Sequence, residues 1–261
     1  MLIFPIISLF LTGLFVGSFL NVLADRLPRE ESVLKGRSHC EKCKKILRWY
    51  DMIPVLSFVF LKGKCRYCHT PLSFYYPVVE LTTGILFTVT FVFVTNNFQL
   101  DQTVTLIYYL FMVSSLIVIF FADLKYGIIP DRIIFPAILV SFLYLLLNTQ
   151  YLILPHILSA VGALIFFLAL FFLTRGKGMG LGDVKFSFLM GFILGFPGIA
   201  IALYIAFLTG AIIGIILIVW RKKSLFGGTI PFGPFLVAGT VITLFYAAPI
   251  TQVVSRWLSF L

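Results

Sequence analysis

Acidic residues are scarce in this chain: ten Asp and Glu among 261 residues, with a charged fraction of 11%. Soluble domains carry about 25%, so the deficit excludes an ordinary solvated globule. No Lys or Arg precedes Arg26. That removes the positive n-region of a secretory leader, and the apolar run 2–24 is expected to be a retained first span. No internal repeat or low-complexity linker is evident. No strand runs into a glycine-rich dinucleotide-type turn. Cysteine is confined to four residues, all between positions 40 and 68.

What fills the chain instead is apolar: 61% hydrophobic and 17% aromatic residues. Runs of about 20 apolar residues, each enough to cross a bilayer, recur at 2–24, 75–95, 103–122, 132–147, 155–174, 199–220 and 230–251. A shorter run, 184–196, reaches only about 20 Å as a helix; a half-span or a tilted hairpin ending at Phe196-Pro197-Gly198 is the alternative to a full crossing. The expected fold is an all-α polytopic membrane protein of about eight transmembrane helices. A small cytoplasmic four-cysteine, zinc-ribbon-like insert separates the first two. The expected domains are a first transmembrane helix (1–24), the insert (25–74) and a transmembrane core (75–261).

The net charge of +10 is distributed as a membrane topology signal. Eleven of the twenty Lys and Arg lie between Arg26 and Arg66. The connections 123–131, 175–183 and 221–229 are also basic, whereas 96–102, 148–154 and 197–198 carry no Lys or Arg. Cytoplasmic loops collect positive charge, so membrane lipid is the expected partner of this charge and nucleic acid is not. The Arg221-Lys222-Lys223 cluster reads as a topology anchor, and Asp101 as a solvated residue of an outer loop. Two crossings separate Asp123 from Asp183, which places both carboxylates at the same cytoplasmic face.

Ionisable residues at membrane spans are functional candidates by default. Asp123 follows the run 103–122 and lies near a helix C-terminus, where the macrodipole disfavours negative charge. Asp183 precedes the run 184–196 and can cap its N-terminus, where negative charge is favoured. Peptide hydrolysis by two carboxylates needs one to activate water and the other, protonated, to polarise the scissile carbonyl. Helix polarity gives the acid role to Asp123 and the base role to Asp183. The loop from Gly176 to Gly182 has glycine at alternate positions. Extended, it would bare one face, formed by Gly178, Gly180 and Gly182, to a substrate strand. A flexible interhelical loop with a capping Asp is the other reading of that stretch.

Cys40-Glu41-Lys42-Cys43 and Cys65-Arg66-Tyr67-Cys68 are two CxxC pairs with a 21-residue spacer. Four thiolates at such spacing suit tetrahedral Zn2+, with Cys40, Cys43, Cys65 and Cys68 as ligands. Redox-active or free thiols are the alternative. His39 and His69 each adjoin a cysteine and are read as exposed neighbours.

Two segments carry a family resemblance. Asp123-Leu124-Lys125-Tyr126-Gly127-Ile128-Ile129-Pro130-Asp131 resembles the first aspartate motif of the type IV prepilin peptidases. Gly178-Met179-Gly180-Leu181-Gly182-Asp183-Val184-Lys185 is similar to their GxGD element. Arg48 to Ser57, Gly63-Lys64-Cys65 and Tyr76 to Glu80 resemble the cytoplasmic insert of the bifunctional members and its continuation. Gly17 to Val22, Arg26-Leu27-Pro28 and Pro231-Phe232-Gly233-Pro234 extend the likeness to about residues 17–235; Asp25 is a small departure. The resemblance implies a cytoplasmic-face aspartic endopeptidase of the bacterial inner membrane, with Asp123 and Asp183 as the catalytic pair. It implies type IV prepilins or pseudopilins as protein substrates. It also implies N-methylation of the new N-terminus from S-adenosylmethionine. No oligomeric state follows from it.

Weaker positions have narrower readings. Glu80 can contact a basic leader, shape a methyl-donor site, or form a salt bridge to the insert. Ser18 and Asn21, one helical turn apart, are expected to hydrogen-bond another span. Asp131 is expected to cap a helix starting near Arg132. Pro231 to Pro234 should break the helix near the active face. Two other function classes make different demands on the same residues. A proton-coupled transporter would need mid-bilayer carboxylates and corresponding halves with interrupted helices. A non-catalytic zinc-bearing membrane adaptor would make both aspartates replaceable.

Overall fold

The computed structural model describes residues 3–33, 36–97, 102–148, 153–176, 178–219 and 231–258. Asp101, Lys177 and the Arg221-Lys222-Lys223 cluster lie outside them. The described residues form helices α1 (Ile3–Arg26), α2 (Leu56–Phe60), α3 (Tyr75–Asn97), α4 (Gln102–Tyr126), α5 (Asp131–Leu147), α6 (Ile153–Leu173), α7 (Leu181–Val219) and α8 (Gly233–Leu258), with a 3-10 turn at Trp49–Met52. Five of them (α1, α3, α4, α6 and α7) are long and apolar enough to cross a membrane, and Gly233–Tyr246 is a shorter apolar helix. This is a multi-pass membrane protein. The chain divides into two compact units, Met1–Phe121 and Ala122–Leu261.

In the first unit, α1 packs along α3 by close backbone approach. A side chain at Gly13 would lie 2.7 Å from Gly84 Cα, and one at Gly17 would lie 2.8 Å from Glu80 Cα. Small residues four apart are how spans approach when lipid is as apolar as Leu. The polar positions fall on this seam as expected. Asn21 Nδ2 donates to the Tyr76 carbonyl at 3.1 Å, and the Ser18 side chain lies against Glu80.

The second unit is built around α7, which packs on α5, α6 and α8. Against α6 the contact is tightest at Gly191, where a Cβ would overlap the Ala160 backbone. Four residues earlier, Ser187 Oγ donates to the Val184 carbonyl at 2.8 Å and faces the Ala163 carbonyl at 3.3 Å. Overpacking of this kind costs roughly 1–3 kcal/mol. Gly191→Ala should therefore lower the thermal unfolding midpoint of the full chain in detergent, with the helix content at low temperature unchanged.

The short run 184–196 proves to be the first half of a long, broken helix. α7 starts at Leu181, earlier than hydropathy places it, and loses helical geometry at Gly195 (φ 60°, ψ −174°) and Phe196. Glycine adopts that φ at no steric cost, and its missing side chain leaves room for His156, whose Cε1 would lie 2.9 Å from a Cβ there. The break releases carbonyls of the preceding turn. His156 Nδ1 lies 2.9 Å from the Phe192 carbonyl, a side-chain donor for an acceptor that lipid could not satisfy.

Candidate functional site

Asp123 occupies the last turn of α4, which runs four residues beyond the end inferred from hydropathy. Its carbonyl accepts the Gly127 N–H at 2.8 Å, and Gly127, at φ 65°, closes the helix in the left-handed conformation. The chain then crosses Ile128-Ile129-Pro130 and enters α5 at Asp131. Asp183 lies in the third position of α7, with Gly180 as the flanking residue. There Oδ2 accepts the Gly180 N–H at 3.2 Å, one half of a capping box. The expectation of an N-cap is corrected by three positions: the helix begins before the aspartate, because Leu181 and Gly182 are already helical.

Ile129 brings the two turns together. A side chain at Gly182 would lie 3.1 Å from Ile129 Cβ, and one at Gly233 would lie 3.2 Å from Ile129 Cδ1 and run into Asp123 Oδ2. Asp123, Gly233, Ile129, Gly182 and Asp183 therefore form one cluster within the second unit. Both carboxyl groups are buried, with relative exposures of 5% for Asp123 and 7% for Asp183, and the Asp183 charge bears on Asp123. Oδ2 of Asp123 faces the Gly233 backbone without a hydrogen bond of ordinary geometry.

The glycine-rich loop divides in two. Gly178 and Gly180 are exposed and non-helical. Gly182 is helical, and its open side is filled by Ile129. The bare extended face expected from alternation thus stops at Gly180, since the first turn of α7 takes the rest.

Asp131 does not cap α5. The flanking residue is Pro130, with no side-chain cap, and both oxygens of Asp131 instead accept from Lys185 Nζ at 2.8 Å. The pair fastens the start of α5 to the first turns of α7, two residues past Asp183. Sequence reasoning missed Lys185 and Gly233 as parts of this site. The first was hidden by a spacing of 54 residues from its partner, the second by lying in a stretch read as part of the family likeness and as a helix break, with no role for the glycine itself.

In the first unit, Glu80 is buried and Oε2 accepts the Val55 N–H at 2.8 Å. Among the described residues it forms no salt bridge to the insert. The insert is held instead by a backbone amide, since Glu80 accepts from Val55 and lies against Ser18 of α1.

The four cysteine sulfurs lie within 4.8 Å of one another. Cys40 Sγ and Cys68 Sγ are 3.8 Å apart, the edge of a tetrahedron whose metal–sulfur bonds are about 2.3 Å. The two CxxC turns repeat the same bonding 25 residues apart. Cys40 N–H and Cys65 N–H donate to the Lys45 and Thr70 carbonyls at 3.0 and 2.9 Å, Lys44 and His69 carry positive φ, and the bridges His39–Ile46 and Lys64–Pro71 flank them. Whole-chain composition hides this local repeat because, within the two turns, little besides the cysteines and Leu47 with Leu72 recurs as residue types. Thr70 hydroxyl and amide contacts bring the Cys68 thiol pKa down to about 6. At Cys43 the Lys45 amide pulls downward, but burial and the crowding sulfurs push the thiol up to about 11. The donor set and its spacing fit Zn2+. His39 and His69 are outside the sulfur cluster.

The fold and this site define a multi-pass helical membrane protein with paired carboxylates at the ends of two helices. Residues 11–94 match the bacterial peptidase A24 N-terminal domain, and residues 110–215 match the type IV leader peptidase family. The chain is 32% identical to the prepilin leader peptidase/N-methyltransferase of Bacillus subtilis over 91% of its own length and 93% of that protein. It is 32% identical to the enzyme of that name from Legionella pneumophila, covering 93% of each. The Burkholderia pseudomallei relative is 30% identical over 91% of this chain and 84% of its own. No solved structure gives a significant match. The chain belongs to the prepilin leader peptidase/N-methyltransferase family.

Proposed function

We propose that Asp123 and Asp183 are the catalytic pair with which this chain cleaves the basic leader from type IV prepilins or pseudopilins at the cytoplasmic face. The observation that carries the reading is the single cluster of Asp123, Gly233, Ile129, Gly182 and Asp183, in which two buried carboxylates share one electrostatic environment. Asp183, which already accepts the Gly180 N–H at the start of α7, takes a proton from water as the water oxygen bonds to the scissile carbonyl carbon. Asp123 gives its proton to the carbonyl oxygen. In the collapse of the tetrahedral adduct, a proton passes to the leaving nitrogen and the C–N bond breaks. Exposed Gly178 and Gly180 are placed to receive the unwound substrate strand as a backbone partner. Gly182 supports the site by its contact with Ile129.

The tetrad Cys40, Cys43, Cys65 and Cys68 would hold one structural Zn2+, with no open position for chemistry. N-methylation follows from membership of the family, and S-adenosylmethionine would supply the methyl group. The described residues hold no strand–glycine–helix unit for its nucleoside, so no residues are assigned to it. Buried Glu80, bonded to Val55, supports the insert from beneath. The bacterial cytoplasmic membrane is the location that fits the basic connections.

Mass spectrometry of a co-expressed prepilin's N-terminus tests the function directly. The expected product lacks its leader and is one methyl group heavier than the bare chain. An intact leader would remove the peptidase reading, and a cut but unmodified N-terminus would remove the methylation.

A further inference from the structure

The insert exposes more apolar surface than so small a unit needs. In α2, Leu56, Val59 and Phe60 remain exposed, Phe60 at 81%. Phe74, immediately before α3, is 74% exposed. Between these elements lies an open cleft of about 390 Å³ lined by Phe58, Val59, Lys62, Lys64, Leu72 and Phe74. The Phe58 and Phe74 rings meet at 5.0 Å, and Leu72 N–H donates to the Gly63 carbonyl at 2.7 Å, so the walls are formed by the fold. The cleft has apolar sides and two ammonium groups at its rim. Among the described residues neither Lys62 nor Lys64 has a carboxylate partner.

Its position follows from chain length. Leu72 and Phe74 lie within three residues of Tyr75, where α3 begins, a helix long and apolar enough to span. An extended chain advances at most about 3.6 Å per residue, so both cleft residues lie within about 11 Å of the entry of that span. Tyr75 and Tyr76 open the helix, the residue type that settles at the headgroup level. A basic, apolar cleft at that depth matches one surface. Phosphate complements the two ammonium groups, and acyl carbon complements the rings. A basic leader peptide carries the wrong sign.

We propose that α2 and this cleft dock on the membrane surface and take an anionic phospholipid, with its phosphate at Lys62 and Lys64 and its acyl chain along Phe58, Val59, Leu72 and Phe74. The insert is thereby held against the bilayer. The attraction is electrostatic at the rim and so weakens with salt, while the apolar part does not. This docking is independent of the peptidase reading.

The test uses the full chain in phosphatidylcholine nanodiscs carrying a trace of photoreactive phosphatidylglycerol or photoreactive phosphatidylcholine, with labelled peptides mapped by mass spectrometry. Residues 56–74 should take up the anionic probe about fivefold or more in excess of the neutral one. Lys62→Glu with Lys64→Glu should remove that excess. Val59→Ser with Phe60→Ser should lower labelling by both probes. Labelling of residues 3–26 serves as the internal standard and should not change. Absence of label from 56–74, or an excess indifferent to the lysine changes, would overturn the proposal. So would displacement of the label by excess prepilin peptide, which would make the occupant a protein. Because lipid labelling is read and not cleavage, its failure leaves the peptidase reading where it stands.

Discussion

Asp123→Asn and Asp183→Asn each leave a co-expressed prepilin-like precursor uncut, with the rate of leader removal down by about 10³-fold or more. General acid–base catalysis by one positioned group contributes roughly 10²–10⁴-fold, and neither half of a pair works without the other. The double variant should therefore be no slower than either single one, because groups that act as a unit are not additive. Asparagine is the informative replacement. It keeps the volume that fills the cluster around Ile129 and Gly233, and at position 183 it can still accept the Gly180 N–H. What it loses is the capacity to hold and release a proton. Asp131→Asn is the contrast. Its ion pair with Lys185 is exposed, at 50% and 39% of the side chains, and such pairs are worth about 0–1 kcal/mol. That variant should retain cleavage within about tenfold, measured on the same co-expressed precursor. Processing that persists in both Asp123→Asn and Asp183→Asn would sink the catalytic assignment.

The helices were legible because hydropathy needs no long-range information. Five long apolar helices and the two helix ends bearing Asp123 and Asp183 appear near the positions that composition gives. What was not legible depends on contacts between distant residues. Asp131 reads as a cap from its neighbours alone, yet Lys185 offers a full charge and two hydrogen bonds, and Pro130 already holds the flanking position. Glu80 reads as a partner for the basic insert, but burial leaves it the Val55 amide. Gly182 looked like part of an extended edge because alternation is a local pattern. The turn that places Asp183 claims it instead. Gly233 stood in a stretch of the family likeness, but its role did not show, since a residue that matters by having no side chain cannot announce which side chain it makes room for.

Full-length protein should carry about one zinc per chain, and Cys65→Ser should reduce it below about a tenth of that, read by elemental mass spectrometry on the purified protein. Cys65 is the most deeply buried of the four, so a serine there cannot be bypassed by a shift of the backbone toward solvent. Structural zinc sites bind with about 10–16 kcal/mol of apparent free energy, which in a small unit is folding free energy. Among the described residues the other links within this segment are few, among them Arg66 Nε, which donates to Asp51 Oδ1 at 2.6 Å, and Lys45, which lies over the Tyr67 ring. The two turns of the segment are fastened by single bridges, His39–Ile46 and Lys64–Pro71, with α2 and the 3-10 turn adding short helical contacts. Loss of the metal should therefore release the amides of Cys40, Leu47, Cys65 and Leu72, whose hydrogen bonds hold the two turns. Their hydrogen exchange should accelerate by about 100-fold or more. Amides in α1 and α3 should stay protected, because the close approaches of Gly13 and Gly17 that join those helices are to Glu80, Thr83 and Gly84 of α3 itself. Zinc-free wild-type protein with the same slow exchange at residues 38–72 would show that the four thiols close this segment unaided, and the metal assignment would fall.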